Sequence, residues 1–337
     1  MKKIMKLLMI LIIFFSIFIS GCGGEKPSGK EESSKEIPDN ITIFGGSVGG
    51  VWSVFTEGVS EAVRKEYPGT LISAVPGTVF GNPVSVSQGK TGFAISESLT
   101  AFFAYKGHAP FEEELRNVRA VASLIPENTF QLVAPESAPF NSVPEIAENN
   151  YPIRYSAGEK GALGDIVSAA VFEAYDLTYE DIQVNGGEVN FLSGGKTFEL
   201  MADSKIDSLG KMVPIPAGDI MEASATIDLK FIPIGEKAVD HLIQKFDMKP
   251  FTIEAGSYEF QDEDYLTVKT PTILITNEEM DEETVYQVTK AIYNQLDYLK
   301  DVHKGFRSLN DETIADVGAI PLHPGAERFY KEIELMD

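Results

Sequence analysis

The chain has 337 residues, and its 28 Lys and Arg against 51 Asp and Glu give a formal net charge of −23. A surface this acidic repels phosphate backbones, so we expect no nucleic-acid partner. Cys22 is the single cysteine, which excludes a disulfide framework within the chain and a metal cluster held by cysteines.

Residues 1–21 have the layout of a signal peptide. Three lysines within the first six residues precede an apolar run at residues 7–19, and small residues follow it. This run is shorter than the roughly 20 residues that a membrane-spanning helix needs. Residues 19–22 resemble the lipobox of bacterial lipoproteins, in which the cysteine sulfur is acylated. The alternatives are an ordinary signal peptide and an uncleaved anchor.

Residues 22–38 consist mainly of Gly, Ser, Lys, Glu and Pro, and they contain no aromatic or β-branched residue before Ile37. Such a segment buries too little apolar surface to fold by itself. We therefore predict a flexible linker that is anchored to lipid through an acylated Cys22. The protein is then extracytoplasmic, at the cell surface or in a periplasm.

The rest of the chain alternates strand and helix patterns. Strands are predicted at residues 41–44, 71–75 and 92–95, with a helical pattern from Val51 between the first two. This order is typical of a parallel sheet with helical crossovers. Two buried strands, at 118–124 and 130–133, lead into a second block with the same alternation, and a strand at 268–275 leads back. A long helix is predicted at 282–299.

This layout predicts an α/β fold with two lobes. Residues 39–127 and 265–337 form the first lobe, and residues 128–264 form the second. Ligands of open α/β sheets bind beyond the carboxyl ends of the strands, so we expect the binding site in a cleft between the lobes.

The glycine-rich segment at residues 45–50 is the strongest local signal. It lies between a strand and a helix, where backbone N–H groups and the helix dipole can hold an anion without Lys or Arg. It contains Ser47, Val48, Gly49 and Gly50, and it lacks the Gly-Lys-Ser/Thr of a Walker loop. The alternative is that the glycines only allow close packing of strand on helix. Trp52 follows, either as a core residue or as a wall of the pocket.

Three further strand ends place small or polar residues at the same edge of the sheet. Any one of them can be a simple turn or helix cap, but together they favour a binding cleft. The candidate residues are Gly77, Thr78 and Val79 after the second strand, Ser96, Glu97 and Ser98 after the third, and Glu159, Lys160, Gly161 and Leu163 in the second lobe.

Over most of its length the chain resembles the TAXI family, the solute receptors of one class of TRAP transporters. The resemblance lies in the glycine-rich opening and in residues 88–95, 118–124, 172–182, 255–264 and 320–330. It implies a two-lobed type II periplasmic-binding-protein fold. It also implies a small organic anion as ligand, a dicarboxylate or an acidic amino acid such as glutamate, and the membrane subunits of a TRAP transporter as partners. The site residues carried over are Ser47 to Gly50, Gly77, Thr78, Ser96 to Ser98 and Gly161.

The sequence departs from the family pattern at the expected pocket. Val51 and Trp52 stand where the family usually has tyrosines, and Leu163 replaces a polar residue in the loop of the second lobe. Lys160 is an addition in that loop, and it either contacts an anionic ligand or pairs with Glu159 and faces solvent.

Two other functions remain open. One is a surface lipoprotein that uses this fold for sensing. The other is an extracytoplasmic hydrolase, which needs a base beside a nucleophile. The four histidines are scattered and have no metal-ligand spacing, so we expect no enzyme, no catalytic residue, no metal and no cofactor.

Overall fold

The computed structural model describes residue 37 and residues 40–336. The predicted signal peptide, Cys22 and all of the linker except Ile37 lie outside these residues. No helix in the described part is both long and apolar enough to cross a bilayer.

Strands and helices alternate through most of the chain. The strands are Asn40–Phe44 (β1), Leu71–Val75 (β2), Phe93–Glu97 (β3), Val118–Pro135 (β4), Arg154–Ser156 (β5), Glu188–Asn190 (β6), Ser208–Pro214 (β7), Leu229–Phe231 (β8), Lys249–Ile253 (β9) and Tyr265–Asn277 (β10). The helices are Val51–Glu66 (α1), Gly81–Ser87 (α2), Ser98–Lys106 (α3), Val143–Asn149 (α4), Leu163–Glu173 (α5), Tyr179–Val184 (α6), Gly194–Ala202 (α7), Gly218–Ser224 (α8), Glu236–Phe246 (α9), Glu282–Asn294 (α10), Leu296–Val302 (α11) and Pro324–Glu332 (α12).

The described strands form one mixed sheet with the order β2-β1-β3-β10-β4-β7-β5-β6, and β8 and β9 pair with β4 and β10. At one end β1 pairs in parallel with β2 and β3, and at the other end β5 pairs in parallel with β6 and β7. The antiparallel strands β4 and β10 lie between these parallel groups and join them. This arrangement confirms the two-lobed α/β fold. The residue bounds of the lobes stay a prediction.

β4 is continuous, where the sequence predicted two strands. The ladder between β4 and β10 shifts register between residues 270 and 272, opposite residues 125–128, and Pro126 and Pro271 lie inside the irregular stretch. Proline has no N–H to give to a ladder. Because the shift removes both prolines from regular pairing, the strand continues past them.

The long predicted helix at 282–299 is two helices, α10 and α11, which meet at Gln295. The second helix packs against α1, where Gly58 leaves room for Leu299 and Phe306: a Cβ on Gly58 would lie 3.4 Å from the Leu299 side chain. Helical periodicity continues across this break, so the sequence pattern did not reveal it.

Each end of the sheet has its own apolar cluster. Phe55 of α1 packs edge-on against Phe306 in the first lobe, with ring centroids 4.9 Å apart. Tyr155 of β5 packs in the same way on Phe172 of α5, also at 4.9 Å. Burying such rings provides much of the apolar driving force for folding.

Asn82 of α2 is fully buried and holds neighbouring strand ends together. Its amide nitrogen donates to the carbonyl oxygens of Gly45, after β1, and Ile95, in β3, at 2.8 and 2.7 Å. Its Oδ1 accepts from the backbone N–H of Thr78 at 3.0 Å. One side chain therefore fixes the relative positions of three loops or strand ends.

We expect Asn82→Ala to lower the free energy of unfolding by about 3 kcal/mol, because it leaves buried carbonyls without a donor. Urea denaturation measures the effect. The matched control is Asn149→Ala: its exposed amide donates only to the carbonyl of Glu145, and we expect a change within about 0.5 kcal/mol. Equal losses in the two variants would contradict this role for Asn82.

Candidate functional site

A cavity of about 420 Å³ opens between the two lobes, and we call it the interlobe cavity. The first lobe contributes Val79, Phe80 and Glu97. The second lobe contributes the loops before α5 and α7 and one edge of β7. Its lining residues are Gly158, Glu159, Lys160, Ala162, Leu163, Gly164, Leu192, Ser193, Gly194, Leu209, Lys211 and Met212.

Three helices begin at the wall of the interlobe cavity. α3 begins after Glu97, α5 after Ala162 and α7 after Ser193, and in the described structure none of the three has a side-chain cap. The first N–H groups of a helix have no partner within the helix, and the helix dipole adds about half a positive charge at this end. The first residues of α5 and α7 line the cavity, so these two helix ends supply donors for an anion, whereas the first residues of α3 are buried away from it.

Lys211 of β7 is mostly buried at this wall and forms an ion pair with Asp219 of α8. Gly194, the first residue of α7, lies against this pair: a Cβ there would be 2.9 Å from Lys211 Nζ and would also overlap the Asp219 carboxylate. The absence of a side chain at Gly194 lets the helix end approach the lysine. The helix end, the ammonium group and the Asp219 carboxylate thus lie together, and the carboxylate offsets the charge of the lysine.

Lys160 and Glu159 are exposed on the rim of the cavity. The Lys160 ammonium lies 5.3 Å from the ring centroid of Phe191, a cation–π distance. In the described structure Lys160 contacts the Phe191 ring, and no ion pair joins it to Glu159. Lys160 therefore stands at the entrance without an acidic partner of its own.

Glu97 is the acidic group on the first-lobe wall. Its side chain is half-buried, and the Thr100 hydroxyl donates to Oε2 at a long 3.4 Å. Burial raises the pKa of Glu97 to about 7, while the hydrogen bonds from Thr100 and Asn128 oppose this rise. Desolvation outweighs the hydrogen bonds, so the carboxyl changes its charge near neutral pH.

The remaining wall is largely apolar. Val79 and Phe80 face the cavity from the first lobe, and Leu163, Leu192 and Met212 face it from the second. Phe80 is held by an edge-on contact with Phe111, with centroids 5.9 Å apart. A few polar groups among apolar side chains are typical of small-molecule sites.

The glycine-rich segment lies elsewhere. Gly45, Gly46, Val48 and Gly49 border a separate depression of about 680 Å³, together with residues of α1 and Tyr298. Ser47, Val48 and Gly49 are exposed, and the Ser47 carbonyl accepts from the N–H of Gly50 at 2.9 Å. Trp52 packs on the apolar cluster of the first lobe. None of these residues lines the interlobe cavity, and a ligand contact by them stays a prediction.

The hydroxyls of the other predicted strand ends have local partners. Ser96 donates to the carbonyl of Glu97 at 3.0 Å, and Ser98 donates to the carbonyl of Val317 at 2.6 Å. The Thr78 hydroxyl accepts from the N–H of Gly81 at 3.1 Å. These contacts shape turns and caps, and they do not place the hydroxyls in the cavity.

Gly77 and Gly161 have backbone roles beside the site. A Cβ on Gly77 would lie 2.7 Å from the carbonyl oxygen of Gly45, so only glycine fits there. Gly161 has a φ of 79°, and its N–H donates to Asp165 at 2.9 Å. Of the predicted site residues, the structure therefore brings to the interlobe cavity Val79, Glu97, Glu159, Lys160 and Leu163.

The sequence reasoning missed Phe80, Ser193 and Lys211. Two of these residues have sequence features from which their place in the site could have been predicted. Ser193 precedes a Gly-Gly pair at a helix start, and Lys211 is the only charged residue in an apolar strand. In the described part of the chain, no group of three or more His, Cys, Asp or Glu residues could hold a metal ion.

A family model describes residues 43–333, most of the chain, as NMT1-like. The chain belongs to the NMT1-like family. The match includes both lobes and every residue that lines the interlobe cavity.

Solved structures share the fold of this NMT1-like protein at low sequence identity. A TctC solute-binding protein from Polaromonas gives a TM-score of 0.53 at 14% identity, over 88% of this chain and 98% of that one. PhnD1 from Prochlorococcus marinus, solved with methylphosphonate, gives a TM-score of 0.52 at 9% identity, over 89% of this chain and 100% of that one. XAC2383 from Xanthomonas citri, bound to chloride, gives a TM-score of 0.50 at 8% identity, over 88% of this chain and 96% of that one. The fold is that of the type II periplasmic binding proteins.

The raised pKa of Glu97 predicts how stability depends on pH. Below about pH 4.5 the carboxyl is protonated in both the folded and the unfolded chain. Between pH 4.5 and about 7 the folded chain holds more protons, so this residue lowers stability as pH rises. We expect Glu97→Gln to be more stable than the parent by about 1–3 kcal/mol at pH 8 and equally stable at pH 4.

Urea denaturation at both pH values measures this difference. Glu159→Gln, which removes an exposed carboxyl from the rim of the same cavity, controls for the loss of one surface charge. A Glu97→Gln variant that is less stable than the parent at pH 8 would show that the ionised carboxylate is favourable in the fold.

Proposed function

We propose that this NMT1-like protein is an extracytoplasmic solute receptor that captures a small organic anion in the interlobe cavity and delivers it to a membrane permease. The observation that carries the proposal is the meeting of two uncapped helix N-termini, those of α5 and α7, at the wall of one cavity that the first lobe closes from the other side. Lys160 adds positive charge at the rim on the second-lobe side, while the charge of Lys211 is paired with Asp219. The fold shared with solute-binding proteins supports the same function.

The finer proposal is a receptor of the TAXI class of TRAP transporters, with a dicarboxylate or an acidic amino acid such as glutamate as ligand. The sequence resemblance supports this class. The described residues that line the cavity include no histidine and no cysteine. We assign the cavity a binding role, as in the solute-binding protein that shares the fold.

The mechanism follows from the crossing strands. Among the described strands, β4 and β10 lie at the centre of the sheet between its two parallel groups, and the ladder between them is irregular around Pro126 and Pro271. A pair of strands with few regular hydrogen bonds at its midpoint can bend there. A ligand that contacts both lobes stabilises the closed arrangement, because it makes its full set of contacts only there. The permease then recognises the closed receptor.

We expect titration calorimetry of the full chain in detergent to detect binding by at least one small carboxylate. Gly194→Ala should weaken that binding about tenfold or more, since the new methyl group displaces Lys211 and Asp219 from the helix end. The matched control is Gly195→Ala on the next residue, where a Cβ meets nothing within 4 Å. The proposal fails if no carboxylate binds the folded protein, or if both variants bind like the parent.

The proposed lipid anchor has its own test. Cys22→Ser removes the sulfur that would be acylated, so we expect the protein to move from the membrane fraction to the soluble extracytoplasmic fraction. Two acyl chains give stable anchoring, whereas one chain gives only marginal binding. Fractionation and intact mass measurement check this. A parent protein that carries no acyl group would contradict the anchor.

A further inference from the structure

Glu97 is the acidic group on the first-lobe wall of the interlobe cavity, at the end of β3. The pairing of β3 with β10 fixes its position in the wall, because Glu97 lies opposite Thr272 in the ladder. Its carboxyl interacts with the Thr100 hydroxyl and with Asn128, and in the described chain no charged group is among these interactions. A carboxyl that burial has removed from water therefore has neutral donors and no cation beside it.

The elements around Glu97 carry charged residues that do not pair with it. On the first-lobe side and at the crossing strands these are Lys106 at the end of α3, Glu127 of β4, Lys269 of β10, and the ion pair of Asp316 with Lys249 near Ser98. The ammonium of Lys269 lies over the Phe251 ring. Across the cavity, Lys211 pairs with Asp219, and Glu159 and Lys160 are exposed at the rim.

An anion in this cavity has Glu97 on the opposite wall. In the proposed receptor the N–H groups at the starts of α5 and α7 hold the anion on the second-lobe side. Two negative charges in one partly buried cavity repel each other, and this repulsion raises the pKa of the carboxyl. Burial by itself already raises that pKa to about 7. Protonation of Glu97 near neutral pH therefore costs little, and it removes the repulsion.

We propose that the receptor takes up one proton with each anion that it binds, and that the Glu97 carboxyl holds this proton. The carboxylate and a proton from water form the neutral acid, whose O–H can donate to an oxygen of the ligand. The interlobe cavity then contains a proton site opposite its anion site. This inference rests on the proposed function, because the anion is the ligand of the same receptor.

The sign of the pH dependence follows from the proton count. At pH 5.5 the Glu97 carboxyl is protonated before the anion arrives, so binding takes up almost no proton. At pH 8 the carboxyl of the free receptor is ionised, because its pKa is about 7, and binding takes up close to one proton. The affinity is therefore nearly constant below about pH 6 and falls by about tenfold between pH 6 and pH 8.

Titration calorimetry of the full chain in detergent tests the proton uptake. The probes are fumarate, L-tartrate, L-aspartate and L-glutamate, whose carboxyl groups are ionised above pH 6. Repeating the titration at pH 8 in buffers of different ionisation enthalpy gives the number of protons exchanged. We expect the tightest-binding probe to take up at least about half a proton per anion, and to bind about tenfold more tightly at pH 6 than at pH 8.

Glu97→Gln is neutral at every pH, and its amide can donate to the ligand in place of the acid. We expect this variant to bind about tenfold more tightly than the parent at pH 8, with no proton uptake and equal affinities at pH 6 and pH 8. Damage to the fold would weaken binding, so a gain in affinity identifies the charge of Glu97 as the cause. The matched control is Glu148→Gln, which removes an exposed carboxyl on α4, outside the cavity lining, and should keep the pH dependence of the parent.

Three results would overturn the proton site and leave the receptor function standing. They are an affinity that is the same at pH 6 and pH 8, binding that releases protons, and a Glu97→Gln variant that binds more weakly than the parent at pH 8. If none of the four probes binds the folded chain at either pH, both proposals are overturned.

Discussion

The antiparallel pairing of β4 with β10 is the contact on which the cavity depends. β3 pairs with β10 so that Glu97 lies opposite Thr272, and β7 pairs with β4 so that Lys211 lies opposite Gln131. Both side chains are therefore fixed to the same pair of strands, although one belongs to the first lobe and the other to the second. Backbone ladders thus set the positions of these two residues at the cavity wall.

The electrostatics of the cavity differ from those of the whole molecule. The chain has a net charge of −23, which would disfavour an anion at long range. Charges at the surface are screened beyond about 8–10 Å, whereas N–H donors at helix ends act at contact distance. Because Asp219 neutralises Lys211, backbone groups supply much of the positive potential. A negatively charged protein thereby provides a local site for an anion.

Only part of the candidate site can be predicted from the sequence. The pattern of strands and helices correctly placed β1, β2 and β3, and it put Glu97 and Lys160 at strand ends that line the cavity. It also favoured residues 45–50, four of which border a different depression. All strand ends look equivalent in a linear pattern. Which of them faces the opposite lobe depends on the position of each strand in the sheet, and β3, beside β10, is nearer the second lobe than β1.

The amino-acid sequence by itself determined the local elements, because helical and strand periodicity, glycine turns and caps act over a few residues. His323, for example, accepts from the N–H of Gly325, two residues further on, and so caps the start of α12. Only the tertiary structure decided that β4 passes through Pro126 without ending, that Asn82 joins three strand ends, and that Gly194 lies on the Lys211–Asp219 pair. Those contacts join residues far apart in the chain, and their geometry is set by sheet order and register, which no local pattern encodes.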